Sequence, residues 1–409
     1  MAPQARMREI RVDFFRGLAM FIIFIAHMPW NPWTQYIPAR FGPSDATEMF
    51  VFCSGFASAI AFGGVFARAG FGIGCLRIAF RCWQIYWCHI GLFLAVLAVT
   101  ILGTEWGARD YLVRLNLYPF LDETQEGIIG LLTLTYVPNL FDILPMYFVV
   151  LLLVPVVMLL ARINLLLVGV FCFGLYWYNW FFGIDLPAEW WSDRSWYFNP
   201  FGWQLIFFTG FAFGAGWLRP PPLDRRLIWV AAAIVLVLIP LYYGPIWKNV
   251  DWIRTISDAT VWGRVKTDFG ILRYVHFLSL AYLAYCLFNQ GREEVLRHRG
   301  LSAIVKVGQQ ALPTFLASLW AARAIGMTLD TVGRTPLTVT LANFAGFALI
   351  IAVAYLAAYF KSAPWKRPPQ QSHQGAKANA KTAPGAPPSS QPSLQPPSTH
   401  PLGRPAAGE

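Results

Sequence analysis

The chain has 409 residues, of which 56% are hydrophobic, 16% aromatic and only 13% charged, with formal net charge +11 and mean hydropathy +0.48. Soluble domains carry about a quarter charged residues, so the composition excludes an ordinary soluble protein and points to an all-α, polytopic bundle in a lipid bilayer. The basic residues are scattered between apolar runs and not clustered on one face, which excludes nucleic acid as a partner.

Runs long enough to cross a bilayer fall at 12–30, 45–67, 80–102, 143–161, 164–183, 202–218, 227–243, 271–289, 303–321 and 337–360, which predicts about ten spans. The first of them, RVDFFRGLAMFIIFIAHMPW, holds Asp13, Arg16 and His27. Ionisable residues at membrane depth are costly and mark function. Asp13 and Arg16 are three apart and share a helix face. Arg16 and His27 return to nearly the same face, separated by roughly 16 Å along the axis. An imidazole is the natural general base at neutral pH, suited to taking a proton from a hydroxyl that attacks an acyl carbon. The charges inside this run, with no clean cleavage site after it, also make it a retained first span and not a signal peptide.

The second run opens within SDATEMFVFCSGFASA, with Asp45 and Glu48 on one face at its start. A carboxylate there suits orientation of an imidazolium at His27, the part played by the third member of a triad. The same residues after Ser44 fit a helix N-cap with a capping box, and one residue can do both. In CLRIAFRCWQIYWCHI, Arg77 and Arg81 lie one turn apart. Two guanidiniums so placed can grip phosphates, or anchor the span at the inner leaflet by snorkelling. His89, further in and off that face, reads as a satisfied core polar group. Asn139 and Asp142 in NLFDILPMY, Trp203 and Gln204 in FNPFGWQLIFF, and Arg273 with His276 in GILRYVH stand at the mouths of later spans. Each set suits the lining of an outer cavity that receives substrate, or a capped helix start at the interface. GRVKTDFG and GQQALP read as loops, and the six cysteines read as buried thiols without metal-type spacing.

Lys and Arg are in excess on the segments that lie inside when the N-terminus is inside, so the bundle reads as N-in, C-in. The large outer segments are then 103–142, 184–201 and 244–270, rich in aromatics and carboxylates; aromatic faces beside carboxylates suit sugar rings as well as an interfacial belt. Residues 1–361 read as one membrane domain, and 362–409, rich in Pro, Ser and Gln, as a disordered cytoplasmic tail.

Taken together, the basic residue followed after ten positions by a His (Arg16 to His27), the stretches VDFFRGLAMFIIFIAHMPWN and FGPSDATEMFVFCSGFASA, and the Arg77, Arg81, Ile85, Tyr86, His89, Ile90 pattern resemble the OpgC family of the acyltransferase-3 superfamily. FDILPMY and NPFGWQLIFFTG extend the likeness over about residues 8–360, more loosely after 220; GQQALPTF has Ala311 where the family has Ser. The resemblance implies O-acyl transfer, typically of succinyl, from cytoplasmic acyl-CoA as co-substrate to a hydroxyl of a periplasmic glucan, in the bacterial inner membrane. It implies no permanently bound cofactor. On that reading Arg16, Arg77 and Arg81 hold the CoA phosphates, Asp13 fixes Arg16, and Asp45 or Glu48 supports His27. His27 acts as base, or as nucleophile in an acyl-enzyme. The alternative class is a transporter of glycan or acylated product that uses the same charges as a substrate or proton path. Oligomeric state is not legible.

Overall fold

The first apolar run folds as α1, Ile10–His27, ending where the chain turns extended at Met28. The computed structural model describes residues 9–107, 109–288 and 292–366; among them the β structure is one isolated bridge between Pro187 and Ser195. The helix α2, Ala46–Ser58, starts at the expected N-cap: Asp45 Oδ1 accepts from Thr47 N at 2.7 Å, and Glu48 Oε2 accepts from Asp45 N at 2.7 Å. A π-helical turn at Ala59–Gly63 leads into α3, Gly64–Trp106. Gly70 breaks the helical path with φ 85° and ψ 172°, a conformation that a residue with a Cβ adopts only with strain. The runs expected at 45–67 and 80–102 therefore lie on either side of a bend within one 61-residue stretch, Ala46–Trp106.

Next come α4, Ile143–Ile163, and α5, Leu165–Phe182, separated only by Asn164, whose side chain caps α5. The sequence continues with α6, Pro200–Ala215, and α7, Arg225–Tyr242, the latter capped by Asp224. The last four are α8, Ile271–Leu287, α9, Arg299–Gln309, α10, Ala311–Val332, and α11, Pro336–Lys361. Short helices fold the long connections, Leu112–Leu115, Tyr118–Asp122 and Thr124–Thr133 in one, Gly244–Trp247 and Asp251–Ala259 in another.

Every run expected to span has helical counterparts among the described residues. Six stretches are long and apolar enough to cross a membrane: Ala46–Trp106, α4, α5, α7, α10 and α11. The helix α1 carries Arg11, Asp13 and Arg16 within its 18 residues, and α6 and α8 have only 16 and 17. The run expected at 303–321 is divided at Gln310: α9 ends before it, and α10 runs on to Val332. A lone Arg at 323 ends an apolar window but does not break a helix. Of the tail expected from 362, residues beyond 366 lie outside the described residues.

Two close helix crossings set the position of α1. A Cβ on Gly17 would overlap the Ile304 carbonyl of α9, and a Cβ on Gly308 would overlap the Asp13 carbonyl. The α1 and α9 backbones thus touch where both lack a side chain. Likewise Gly55 of α2 meets the Phe207 carbonyl and Gly210 of α6 meets the Phe52 carbonyl. The exit of α1 is held by a buried amide pair, Asn31 Nδ2 donating to Asn343 Oδ1 of α11 at 2.9 Å.

Candidate active site

His27 occupies the last turn of α1 and is half-buried. Its Nδ1 lies 2.7 Å from the Ile23 carbonyl oxygen. A carbonyl only accepts, so Nδ1 carries the proton and Nε2 presents its lone pair. Among the described residues no hydrogen bond occupies Nε2. Three charged side chains lie close enough to act on the imidazole: Arg323, Lys266 and Asp45. At the other end of α1, Asp13 is buried and Arg16 half-buried. Both charges act on the Cys53 thiol of α2, which sets them at the α1–α2 contact.

The two carboxylates at the start of α2 belong to a compact ion-pair network. Lys266 Nζ donates to Asp45 Oδ2 at 2.6 Å. Arg273 of α8 meets Glu48 Oε1 through Nη2 at 2.6 Å and Nε at 2.7 Å, and its Nη2 stands 3.7 Å from Asp45 Oδ2. Burial opposes ionisation of Asp45, but the Lys266 and Arg273 charges outweigh it and hold its carboxyl below the usual carboxylate range. The reciprocal effect, against burial, raises the Lys266 ammonium. Ser44 Oγ and His276 Nδ1 share a buried hydrogen bond of 2.6 Å beside this group, and the His276 ring lies where a Cβ on Gly42 would be. So Asp45 and Glu48 cap α2 and also lie in a charged cluster with Arg273. Neither carboxylate hydrogen-bonds His27; Asp45 reaches it through space.

The other expected site residues are spread more widely. Trp203 is fully buried, and its Nε1 donates to the Lys266 carbonyl at 2.9 Å and the Thr267 carbonyl at 3.2 Å. It thereby braces the segment that carries Lys266. Gln204 is buried and ties α6 to α5, Nε2 donating to the Cys172 carbonyl at 2.7 Å. Asp142, at the start of α4, accepts from Tyr197 N at 3.1 Å, and burial pushes its carboxyl up to about 7. Asn139 reaches the Arg114 carbonyl at 3.4 Å. Arg77 is exposed on α3 with its guanidinium over Phe80, and Arg81 is half-buried and donates to Gln84 at 3.1 Å. His89 departs from the expectation of a satisfied core group: it is buried, and neither ring nitrogen has a hydrogen-bond partner among the described residues.

Two residues and one pairing around His27 and Asp45 escaped sequence reasoning. Lys266 lay in what read as a plain loop, and no periodicity marks a side chain that folds back over a distant helix start. The Ser44–His276 pair joins residues 232 positions apart. Arg323 carried a usable signal, an isolated guanidinium within ASLWAARAIG, but the span was ended before it.

Helices long and apolar enough for a bilayer, with titratable groups gathered about the end of α1, define an all-helical protein of membrane type. A family model described as OpgC protein matches residues 8–362, and the chain belongs to the OpgC family, which implies a membrane acyltransferase. No curated protein and no solved structure matches the chain.

Proposed function

We propose that the protein transfers a succinyl group from cytoplasmic succinyl-CoA to a hydroxyl of a periplasmic glucan across the bacterial inner membrane, with His27 as general base. The observation that carries this reading is the Nδ1–H to Ile23 carbonyl bond, which fixes the tautomer and leaves Nε2 able to take a proton. Nε2 removes the proton from the sugar hydroxyl as its oxygen attacks the thioester carbonyl carbon. Collapse of the tetrahedral intermediate breaks the C–S bond, and the departing thiolate takes the proton back from the imidazolium. The ester and free CoA are the products, and His27 returns to its starting form.

With the N-terminus inside, the Asp13–Arg16 end of α1 faces the cytoplasm and His27 the periplasm. Arg16, Arg77 and Arg81 then meet the CoA phosphates, with Asp13 positioning Arg16, and the pantetheine arm extends along the bundle towards His27. Asp45 stabilises the imidazolium through space. Lys266 and Arg273 hold that carboxylate ionised and in place. Asn139, Asp142, Trp203, Gln204 and Arg273 belong to the acceptor side of this arrangement, Trp203 by shaping the segment around Lys266.

Replacing His27 by Ala tests the assignment. Loss of general-base catalysis costs about 10²–10⁴-fold, so glucan acylation by membranes containing the variant should fall by that factor at unchanged protein level. Acylation at the wild-type rate overturns His27 as the base.

A further inference from the structure

Of the charged side chains that act on His27, Arg323 is one that the proposed chemistry leaves unused. It sits on α10, only 8% exposed, and makes no ion pair or hydrogen bond among the described residues. Its seat is well defined. Gly326, one turn further along the same face, is pressed so closely on Met28 and Pro29 that a Cβ there would collide with the Pro29 ring. Arg323 therefore lies one turn back along α10, alongside the end of α1, where its charge acts on His27.

The Arg323 side chain is largely buried, with Nε enclosed and unpartnered among the described residues; a charge so placed without a counter-ion is costly, and the surroundings make it costlier. Arg114 is the other charged group that acts on it. Arg109, Arg114 and Arg334 gather round the Trp30 ring, their guanidinium carbons 4.4, 4.6 and 5.7 Å from its centroid. Asp330, about two turns further along α10, is already engaged by Arg334 at 2.6 Å, Arg109 at 3.6 Å and the Tyr111 hydroxyl at 2.6 Å. Asp45 is likewise taken by Lys266. Neither carboxylate is free to pair with Arg323, so the anion that balances it must come from a ligand.

We propose that Arg323 receives the free carboxylate of a dicarboxylic acyl group, so that it selects the acyl donor. This rests on the acyl-transfer reading of His27. The reacting thioester must lie at Nε2, and a succinyl chain then carries its carboxylate two methylenes beyond the carbonyl carbon. The CoA phosphates stay at the opposite end of α1, and glucan hydroxyls are neutral, so the acyl terminus is the anion this end of the site meets. A planar guanidinium takes a carboxylate by two parallel N–H···O bonds. An acyl chain ending in a methyl would leave the charge unpaired, which is discrimination by penalty.

The test compares succinyl-CoA with butyryl-CoA, which has the same number of acyl carbons and a methyl in place of the carboxylate. Binding of each is measured to the purified full chain in lipid nanodiscs, without acceptor. Wild type should bind succinyl-CoA roughly thirtyfold tighter or more, the scale of a buried charge pair, and Arg323→Gln should bring the two within about threefold. Affinity for butyryl-CoA should not fall in the variant. A wild type without preference, or one that binds neither donor, overturns the proposal without recourse to any variant. A preference that survives Arg323→Gln overturns it too. Turnover that falls equally with both donors while the binding preference stands assigns Arg323 to the oxyanion of the tetrahedral intermediate instead. Failure of the acyl-transfer reading shows separately, as a wild type that binds succinyl-CoA selectively yet forms no acylated glucan.

Discussion

Glu48 illustrates how one residue can answer two readings of a sequence. As the third residue of α2 it closes a capping box with Asp45, and as a buried carboxylate it faces Arg273 at 2.6 Å. Both members of that pair are almost wholly buried. Removing one partner of a buried pair leaves an uncompensated charge and costs about 3–5 kcal/mol. Glu48→Leu should therefore destabilise the protein by that amount in thermal unfolding, and Arg273→Met similarly. The double variant should be less destabilised than the sum of the two; additive losses would show that the pair is not coupled. Local spacing made the cap legible, because its partners lie within three residues. The ion pair was not legible, because Arg273 arrives from 225 residues away. Arg273 and Glu48 were each singled out by residue type, yet nothing in the chain's linear pattern joins them.

Among the helices, α1 owes its position to places where side chains are missing. Gly17 and Gly308 bring the α1 and α9 backbones together close to Asp13 and Arg16. Adding a methyl at Gly308 meets the Asp13 carbonyl, which cannot move like the end of a flexible side chain. Overpacking of this kind typically costs about 1–3 kcal/mol. Gly308→Ala should lower the unfolding temperature and reduce acylation, whereas Gly169→Ala, a glycine of α5 with open space at its Cβ, should do neither. Equal behaviour of the two would remove the crossing as a determinant of α1. Hydropathy found most of the helices, since burial in lipid or protein demands long apolar runs. It misjudged the run at 303–321, where an amphipathic helix and an apolar one follow each other almost without a gap.

At the scale of the whole molecule, the direction of α1 across the bilayer would decide which end meets CoA in the proposed reaction. The excess of Lys and Arg argues for an interior N-terminus and C-terminus. A fluorescent protein fused after Lys366 should then fold and emit in the cytoplasm, and alkaline phosphatase fused at the same point should be inactive. An active phosphatase fusion would reverse the path assigned to the donor. Six stretches meet the length and hydropathy of spanning helices; α1 falls short by its three charges and α8 by length. Charged residues in α1 are thus both the reason it looks weakest as a span and the reason the proposed chemistry is placed on it.

The chain by itself determined the class of molecule, the helical segments, the family likeness and the set Asp13, Arg16, His27, Asp45, Glu48. These follow from composition, from periodicity and from motifs confined to short stretches, and they need no knowledge of what touches what. Only the tertiary structure decided that Lys266 and Arg273 neutralise the carboxylates, that Ile23 fixes the His27 tautomer in this geometry, and that Arg323 stands beside His27 without a carboxylate of its own. The physical reason is that a buried charge is tolerated or costly according to its neighbours in space. Those neighbours come from helices distant in sequence.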